Sequence, residues 1–267
     1  MVTINIDPVI FHIGHFAIRW YGLILITAIA IGVWLAVREG VRKGFKGDDL
    51  SDGVIWVVLG GVLGGRLFHV LDHWSHTFAA NPIRSLFIWE GGLAIWGAVA
   101  GGLVAVVILA RIKGWNLPLL LDAIAPGLVL AQAVGRFACI ITGDAMGKPT
   151  NGPIGFAYLN PGAMVPELGV YYAPMPVYEI IANLAIFTIL WQLRKRDWPT
   201  GLLFLVYLSL YSVERFFLAF TSSYQIMAFG LTQSQIVALV LLSISLPLIV
   251  VLTLKKLSKP QSKKAYV

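Results

Sequence analysis

Three residue types that can take part in chemistry lie close together in one otherwise apolar stretch of the chain. The segment AQAVGRFACIITGDAMG, residues 131–147, contains Arg136, the single cysteine Cys139 and Asp144. A guanidinium matches phosphate geometry with paired hydrogen bonds, and a thiol can act as a nucleophile. A buried cysteine is more often a small hydrophobic residue, so a covalent role for Cys139 is the weaker interpretation.

Two further arginines have the same unusual setting in apolar segments. Arg66 follows paired glycines, and Arg215 lies one helical turn after Tyr211. For a single arginine near a helix end, extension of the side chain to the lipid headgroups is an equally good interpretation. For three arginines on separate helices with few acids nearby, a shared phosphate ligand is favoured. Glu214 is a candidate partner for an arginine on a neighbouring helix.

The elements that position these residues must be membrane helices. The chain has 267 residues, of which 58% are hydrophobic and 12% charged, and its mean hydropathy of +0.81 excludes an ordinary soluble domain. Runs of roughly 20 apolar residues can cross a bilayer. Seven such runs occur, at Trp20–Val37, Val54–Leu71, Gly91–Ala110, Leu117–Ile140, Met175–Leu193, Gly201–Phe220 and Ser234–Leu254. We therefore predict an all-α integral membrane protein, a seven-transmembrane-helix bundle that forms a single domain over residues 1–267.

Basic residues alternate along the chain and predict its orientation. The loops after the first, third and fifth helices are rich in Lys and Arg, and so is the tail, with Lys255, Lys256, Lys259, Lys263 and Lys264. Such residues stay on the cytoplasmic side, so the N-terminus is expected outside and the C-terminus in the cytoplasm. Membrane topology thereby explains the net charge of +7, and no nucleic-acid partner is expected. The Gly/Pro-rich segment at about 142–174 is expected to form an ordered external cap between helices 4 and 5.

This topology gives the polar residues a common depth. Arg66, Arg136 and Arg215 fall near the ends of outward-running helices, and Tyr21 and Trp96 begin helices that start outside. A charge at the bilayer centre costs about 2.5 to 3.5 kcal/mol or more, so these arginines are expected to face the bundle interior.

A histidine stripe offers a second kind of chemistry, which we do not favour. His69, His73 and His76 follow at helical spacing, with Asp72 beside them, and such spacing can bind zinc. The pattern HVLDHWSH lacks a catalytic acid at the position that a metallohydrolase helix requires. We interpret these residues as interfacial histidines and expect neither a metal nor a cofactor.

Six motifs in one order resemble prolipoprotein diacylglyceryl transferase over nearly the whole chain. They are RWYG at 19–22, GGRLFHVL at 64–71, WEGGLAIWGAVAGG at 89–102, VGRF followed by GDAMG within 134–147, PMPVYE at 174–179 and YSVERFF at 211–217. The resemblance implies a diacylglyceryl transferase of the bacterial plasma membrane with its active site toward the outer leaflet. Such an enzyme moves the diacylglyceryl group of phosphatidylglycerol to the lipobox cysteine thiol of a preprolipoprotein, the first step of lipoprotein maturation. Its partners would be phosphatidylglycerol, preprolipoprotein signal peptides and the bilayer.

The resemblance also implies roles for single residues. Those matching catalytic positions are Arg136, Arg215 and Tyr21, and those matching substrate-binding positions are Arg136, Arg66, Tyr211, Asp144 and Gly147. The chain departs from the family where Trp96 stands in place of a histidine cast as general base, where Cys139 replaces an asparagine, and where Asp144 replaces a glutamate. Ala219 and Ser222 replace a further glutamate and arginine.

Two alternative functions stay open at this point. One is a catalytically impaired paralogue that binds an anionic phospholipid or a lipidated peptide without transferring anything. The other is an anion transporter, which is less favoured because the sequence shows no inverted repeat or pair of broken helices.

Overall fold

The computed structural model describes residues 1–14, 16–88 and 91–258. Within that part of the chain, seven helices are long and apolar enough to span a membrane. They are α1 Trp20–Arg42, α2 Gly47–Asp72, α3 Ile95–Ile112, α4 Leu117–Thr142, α5 Met175–Leu193, α6 Leu202–Leu218 and α7 Gln233–Leu257. The prediction of a seven-helix membrane protein is thus confirmed. Lys259, Lys263, Lys264, and Trp89 and Glu90 of the third motif lie outside the described residues.

Two helices, α2 and α3, begin several residues away from their predicted starts. Gly91 and Gly92 have φ angles of +87° and +80°, a left-handed conformation that a right-handed helix cannot include. Helix α3 therefore begins at Ile95. Helix α2 reaches back beyond its apolar run to Gly47, and Asp48 in its first turn interacts favourably with the positive end of the helix dipole.

The expectation of a purely helical chain holds for the membrane helices, but short strands form before α1, between α4 and α5, and between α6 and α7. The pairs are β1 Val2–Ile4 with β4 Phe156–Tyr158, β2 Val9–Ile13 with β3 Phe16–Arg19, and β5 Ile226–Ala228 with β6 Leu231–Thr232. The first pair is parallel and joins the N-terminal residues to the 142–174 segment.

By its internal contacts the chain divides into two compact units, which are described separately. The first unit comprises Met1–Ala36 and Leu121–Val267, and the second comprises Val37–Leu120. Helices α1 and α4 each contribute residues to both units. The assignment of the whole chain to a single domain stays a prediction.

In the first unit, a buried apolar cluster joins α4, α5 and α6. Its members are Ala125, Val129, Ile186, Leu190, Leu203 and Tyr207. Helix α1 approaches α4 closely at Gly32, where a Cβ atom would lie 2.9 Å from the Cβ of Ala131. Helix α7 packs on α6, and the hydroxyl oxygens of Ser209 and Ser245 lie 2.8 Å apart between them. This packing holds the helices that carry the polar residues of the site.

In the second unit, glycines allow α2 and α3 to pack closely. A Cβ atom on Gly60 would lie 2.8 Å from the Cβ of Ala105, and one on Gly64 would lie 2.8 Å from the Cα of Gly101. Glycines at such spacing let two helix backbones approach closely, because no side chain separates them.

The segment 142–174, which we call the cap, is ordered around buried side chains. Met146, Tyr158 and Tyr172 form its apolar cluster. The Tyr158 hydroxyl donates a hydrogen bond of 2.7 Å to the carbonyl oxygen of Ile140 in α4. Burial raises the pKa of the Tyr158 phenol, so the hydroxyl keeps its proton and remains a donor. The cap is thereby attached to the end of α4, just beyond Arg136.

Candidate active site

Two of the three arginines singled out in the sequence meet at one buried carboxylate. The Nε atom of Arg136, in α4, contacts one carboxylate oxygen of Glu179, in α5. The Nη1 atom of Arg215, in α6, contacts the other oxygen. The Glu179 side chain is only 2% exposed, whereas those of Arg136 and Arg215 are 25% and 16% exposed. These three side chains, the arginine–glutamate cluster, are thus built from three helices.

Asp122 brings the two arginines to the same level. Its carboxylate oxygens, near the start of α4, accept hydrogen bonds from the backbone N–H groups of Gly201 (2.8 Å) and Phe204 (2.9 Å) at the start of α6. Arg136 follows Asp122 by 14 residues, and Arg215 follows Gly201 by 14 residues. At 1.5 Å per residue, both arginines lie roughly 21 Å along their helices from this junction. The shared depth that the sequence predicted for Arg136 and Arg215 follows from this register.

The arginine–glutamate cluster carries an excess of positive charge. Two guanidiniums face one carboxylate, which leaves a formal charge of one positive unit. Each guanidinium has five N–H donors, more than a single carboxylate oxygen can use. Because both arginines remain partly exposed, an additional anion can reach them. A phosphate diester, with one negative charge, would neutralise the cluster and accept the remaining hydrogen bonds.

Cys139 and Tyr21 lie near Arg136, and Asp144 lies near Tyr21 and Cys139. The Nη1 atom of Arg136 donates a long hydrogen bond of 3.8 Å to the Sγ atom of Cys139, which is 4% exposed. The Tyr21 side chain is 38% exposed and interacts electrostatically with Cys139, Asp144 and Arg136. The structure therefore brings together the residues at which the sequence suggested chemistry, although their roles stay predictions.

Tyr211 lies within the same group of interacting side chains. It interacts electrostatically with both arginines and with Glu179, and its ring stacks on that of Tyr207 at a centroid distance of 5.8 Å. The Tyr207 hydroxyl donates to the Oε1 atom of Gln132 in α4 at 3.2 Å. This contact holds the aromatic stack between α4 and α6 and limits where the Tyr211 ring can lie.

Gly147 lies at a crowded backbone crossing between the cap and the segment after α6. Its N–H donates to the carbonyl of Ala173 at 2.9 Å, and its carbonyl accepts from the Ser223 hydroxyl at 3.2 Å. A Cβ atom at this position would lie 2.7 Å from the carbonyl oxygen of Thr221. The lack of room for a side chain accounts for the glycine at this position. Contact between Gly147 and the substrate stays a prediction.

Arg66 belongs to the second unit and binds backbone carbonyls. Its side chain is buried and donates hydrogen bonds to the carbonyl oxygens of Arg84, Ser85, Phe87, Gly91 and Gly92. These contacts fix the path of the chain between α2 and α3. These hydrogen bonds give Arg66 a structural role in holding the segment. That Arg66 also binds the lipid headgroup stays a prediction.

Trp96 and the histidine stripe also belong to the second unit. Trp96 is the second residue of α3 and is 42% exposed. The rings of His69 and His73 lie 4.4 Å apart, and His73 Nδ1 lies 3.4 Å from the Asp72 carboxylate. Among the described residues, no three side chains of the types that bind metals are grouped to hold an ion.

The residue that the sequence analysis missed is Glu179, and the one it assigned in its place is Glu214. We expected Glu214 to pair with an arginine, but its carboxylate oxygens are buried and have no hydrogen-bond partner among the described residues. Glu179 fills that role. The signal for it was present, because Glu179 is an acid in the first turns of an apolar helix, within the quoted motif PMPVYE.

Comparison with known proteins identifies the family of the chain. The family model of prolipoprotein diacylglyceryl transferase matches residues 8–251. Three similar proteins carry the name phosphatidylglycerol–prolipoprotein diacylglyceryl transferase. The Trichormus variabilis protein is 39% identical over 216 residues, covering 78% of this chain and 76% of its own length. The Staphylococcus aureus protein is 36% identical over 219 residues, covering 79% and 76%, and the Lactobacillus acidophilus protein is 33% identical over 222 residues, covering 81% and 79%. The match to the family model spans most of the chain, and the chain belongs to the prolipoprotein diacylglyceryl transferase family.

Proposed function

We propose that this chain transfers the diacylglyceryl group of phosphatidylglycerol to the cysteine thiol of a prolipoprotein. The observation that carries the proposal is the arginine–glutamate cluster, which presents partly exposed guanidiniums and one excess positive charge within the membrane bundle. The similar proteins are named for phosphatidylglycerol and prolipoprotein, and phosphatidylglycerol is an anionic phosphate diester.

In this function, Arg136 and Arg215 bind the phosphate of the lipid. Their guanidiniums come from different helices, so they approach the phosphate from two sides and fix its orientation. Tyr21, which lies within electrostatic reach of Arg136, orients a reacting group. Tyr211 limits the space beside the arginines, and Asp144 and Gly147 form the part of the cap that lines the substrate.

The reaction is a displacement at the glyceryl carbon that bears the phosphate. The thiol of the prolipoprotein loses its proton, its sulfur forms a C–S bond, and the C–O bond to the phosphate breaks. Cationic surroundings lower the pKa of a thiol from about 8.5 toward neutrality. The leaving glycerol phosphate gains one negative charge, which preorganised donors stabilise by about 2.7 to 4 kcal/mol each. Arg136 and Arg215 therefore assist both the attack and the departure.

The multi-pass chain acts, in this proposal, in the bacterial plasma membrane with the cluster toward the outer leaflet. Arg136 lies six residues before the end of α4, and Arg215 three residues before the end of α6. These distances correspond to roughly 9 Å and 5 Å. The basic loops lie at the opposite ends of these helices, which supports the predicted orientation.

The test is transfer by the purified chain in vesicles of phosphatidylglycerol, with a lipobox peptide as acceptor and mass spectrometry of the thioether product. We expect Arg136→Gln and Arg215→Gln to lower the rate by about 10² to 10³, the effect of losing one charged donor. Arg111→Gln removes an exposed arginine of α3 and serves as the matched control. A wild-type chain that forms no thioether, or arginine variants as active as the control, would refute the proposal.

A further inference from the structure

Glu214 is a buried acid that the arginine–glutamate cluster leaves without a hydrogen-bond partner. It lies in α6 directly before Arg215, and its exposed fraction is 9%. Neither carboxylate oxygen has a hydrogen-bond partner among the described residues. An unpaired carboxylate in an apolar interior is strongly disfavoured, and such unsatisfied groups in folded proteins often have a chemical role.

The carboxylate of Glu214 lies among the charged groups of the site. It interacts electrostatically with Glu179 in α5, with Arg215 in its own helix and with Arg136 in α4. It follows Tyr207 by seven residues and Tyr211 by three, a spacing that places all three on one helical face. Both tyrosines interact with it electrostatically.

Helix α7 adds no ionisable group near this position. Its described ionisable side chains are Lys255 and Lys256, in its last turn. At its first turn, the amide of Gln235 reaches the carbonyl oxygen of Phe216, a neutral contact. The charges that face Glu214 are therefore those of Arg136, Glu179 and Arg215.

The proton balance of the site changes with the state of Glu214. When Glu214 is ionised, two guanidiniums and two carboxylates make the site formally neutral. When it takes up a proton, the site gains one positive charge. Transfer of a thiol proton to Glu214 would thus increase the positive charge beside the phosphate at the step where the phosphate gains its second negative charge.

The chain also needs a proton acceptor that Trp96 cannot provide. An indole N–H is a donor without an acceptor lone pair, so the residue at the position of the family's histidine cannot accept the thiol proton. Glu179 is already engaged by both arginines. Glu214 is the carboxylate that combines burial, an unpartnered pair of oxygens and interaction with both arginines.

We propose that Glu214 is the proton acceptor for the prolipoprotein thiol, an inference that rests on the proposed transferase function. The S–H bond breaks and its proton moves to a carboxylate oxygen of Glu214. The sulfur uses the freed electron pair to form the C–S bond, and the electron pair of the breaking C–O bond leaves with the phosphate. Glu214 then returns the proton to the departing phosphate or to water, so the carboxylate is restored for the next turnover.

The experiment measures single-turnover transfer across a range of pH for the wild type, Glu214→Gln and Glu167→Gln, the last removing an exposed acid of the cap. We expect Glu214→Gln to be slower by about 10² to 10⁴ at neutral pH. Its rate should rise about tenfold per pH unit toward the thiol pKa of about 8.5, because the substrate must then ionise by itself. The rates of the wild type and Glu167→Gln should level off at a lower pH than the rate of Glu214→Gln, because the Glu214 carboxylate accepts the thiol proton before the thiol ionises by itself.

Two further measurements separate loss of a proton acceptor from loss of structure. A peptide with selenocysteine, whose selenol ionises at neutral pH without a base, should restore much of the rate of Glu214→Gln. The thermal stabilisation by phosphatidylglycerol should stay at the wild-type value. If Glu214→Gln is poorly folded, Glu214→Asp carries the test, because it keeps a proton acceptor and its rate should level off at a lower pH than that of a chain without one.

Distinct results would overturn this proposal and the proposed function. A wild-type chain that gives no product at any pH refutes the function itself. An active wild type with Glu214→Gln at the same rate and pH profile refutes only the role of Glu214. A pH profile that shifts to higher pH in Asp144→Asn and stays at the wild-type position in Glu214→Gln would assign proton transfer to Asp144 instead.

Discussion

Replacement of Glu179 by alanine should destabilise the fold and make its stability depend on an anionic lipid. The Glu179 side chain is 2% exposed and contacts the guanidiniums of Arg136 and Arg215. Removing one partner of a buried ion pair costs about 3 to 5 kcal/mol, because the opposite charge is left uncompensated. Both arginines remain partly exposed, so water relieves some of this penalty and we expect the lower value, about 3 kcal/mol.

Thermal unfolding of the purified protein in a neutral detergent measures this effect. A loss of about 3 kcal/mol should lower the unfolding midpoint by on the order of 10 °C. Phosphatidylglycerol can supply the missing negative charge, and a ligand at 100 times its dissociation constant stabilises the folded state by roughly 2.7 kcal/mol. The midpoint of Glu179→Ala should therefore rise more on addition of phosphatidylglycerol than that of the wild type. Phosphatidylcholine, whose headgroup has no net charge, should not have this effect.

Glu167→Ala is the matched control, because Glu167 is an exposed acid in the cap. Its midpoint should equal that of the wild type in both lipids. The reasoning would be refuted if Glu179→Ala unfolded within about 2 °C of the wild type, a shift that corresponds to less than about 1 kcal/mol. Equal stabilisation of the wild type and the variant by phosphatidylglycerol would also contradict it, since loss of the carboxylate would then not strengthen the attraction of the two guanidiniums for the phosphate.

Two other substitutions test the parts that surround the cluster. Gly147→Ala places a Cβ atom 2.7 Å from the Thr221 carbonyl oxygen, so overpacking should cost about 1 to 3 kcal/mol. The unfolding midpoint and the transfer rate should both fall. Gly152→Ala in the same cap should lower neither. Arg66→Gln removes donors that bind the backbone carbonyls of Arg84 and Gly91. Trypsin should therefore cleave after Arg84 faster than in the wild type. Unchanged cleavage would show that these hydrogen bonds do not hold the segment.

The helices and the polar residues near their ends were predictable from local patterns. A run of apolar residues long enough to span a bilayer is a strong signal, and the positions of Arg136 and Arg215 within two such runs placed them at one level. The junction at Asp122 was not foreseen, although it sets that level, because a carboxylate that caps the start of another helix leaves no local signature. The first residues of α2 and α3 were also missed. Apolar content alone does not show that glycines with positive φ delay the start of α3, or that α2 begins within polar residues.

Contacts between residues distant in the sequence were the part that could not be predicted. The parallel pairing of β1 with β4 joins strands of three residues each, too short for any alternation of apolar and polar residues to be recognised. The pairing of Glu179 with two arginines required the relative rotation of three helices. Glu214 was the candidate from the sequence, as a partner for an arginine on a neighbouring helix. Among the described residues its carboxylate makes no hydrogen bond, and Glu179 contacts both arginines instead.

The balance of charge in the arginine–glutamate cluster reconciles the stability of the bundle with anion binding. Two buried guanidiniums without an acid would repel each other and bear the full cost of leaving water. Two acids, each bound to one guanidinium, would occupy the N–H donors that a phosphate needs. A single carboxylate shared by Arg136 and Arg215 compensates enough charge for the helices to pack, and the positive unit that remains is matched by a phosphate diester. Glu179 therefore determines both the spacing of the two arginines and the charge of the ligand that they can bind.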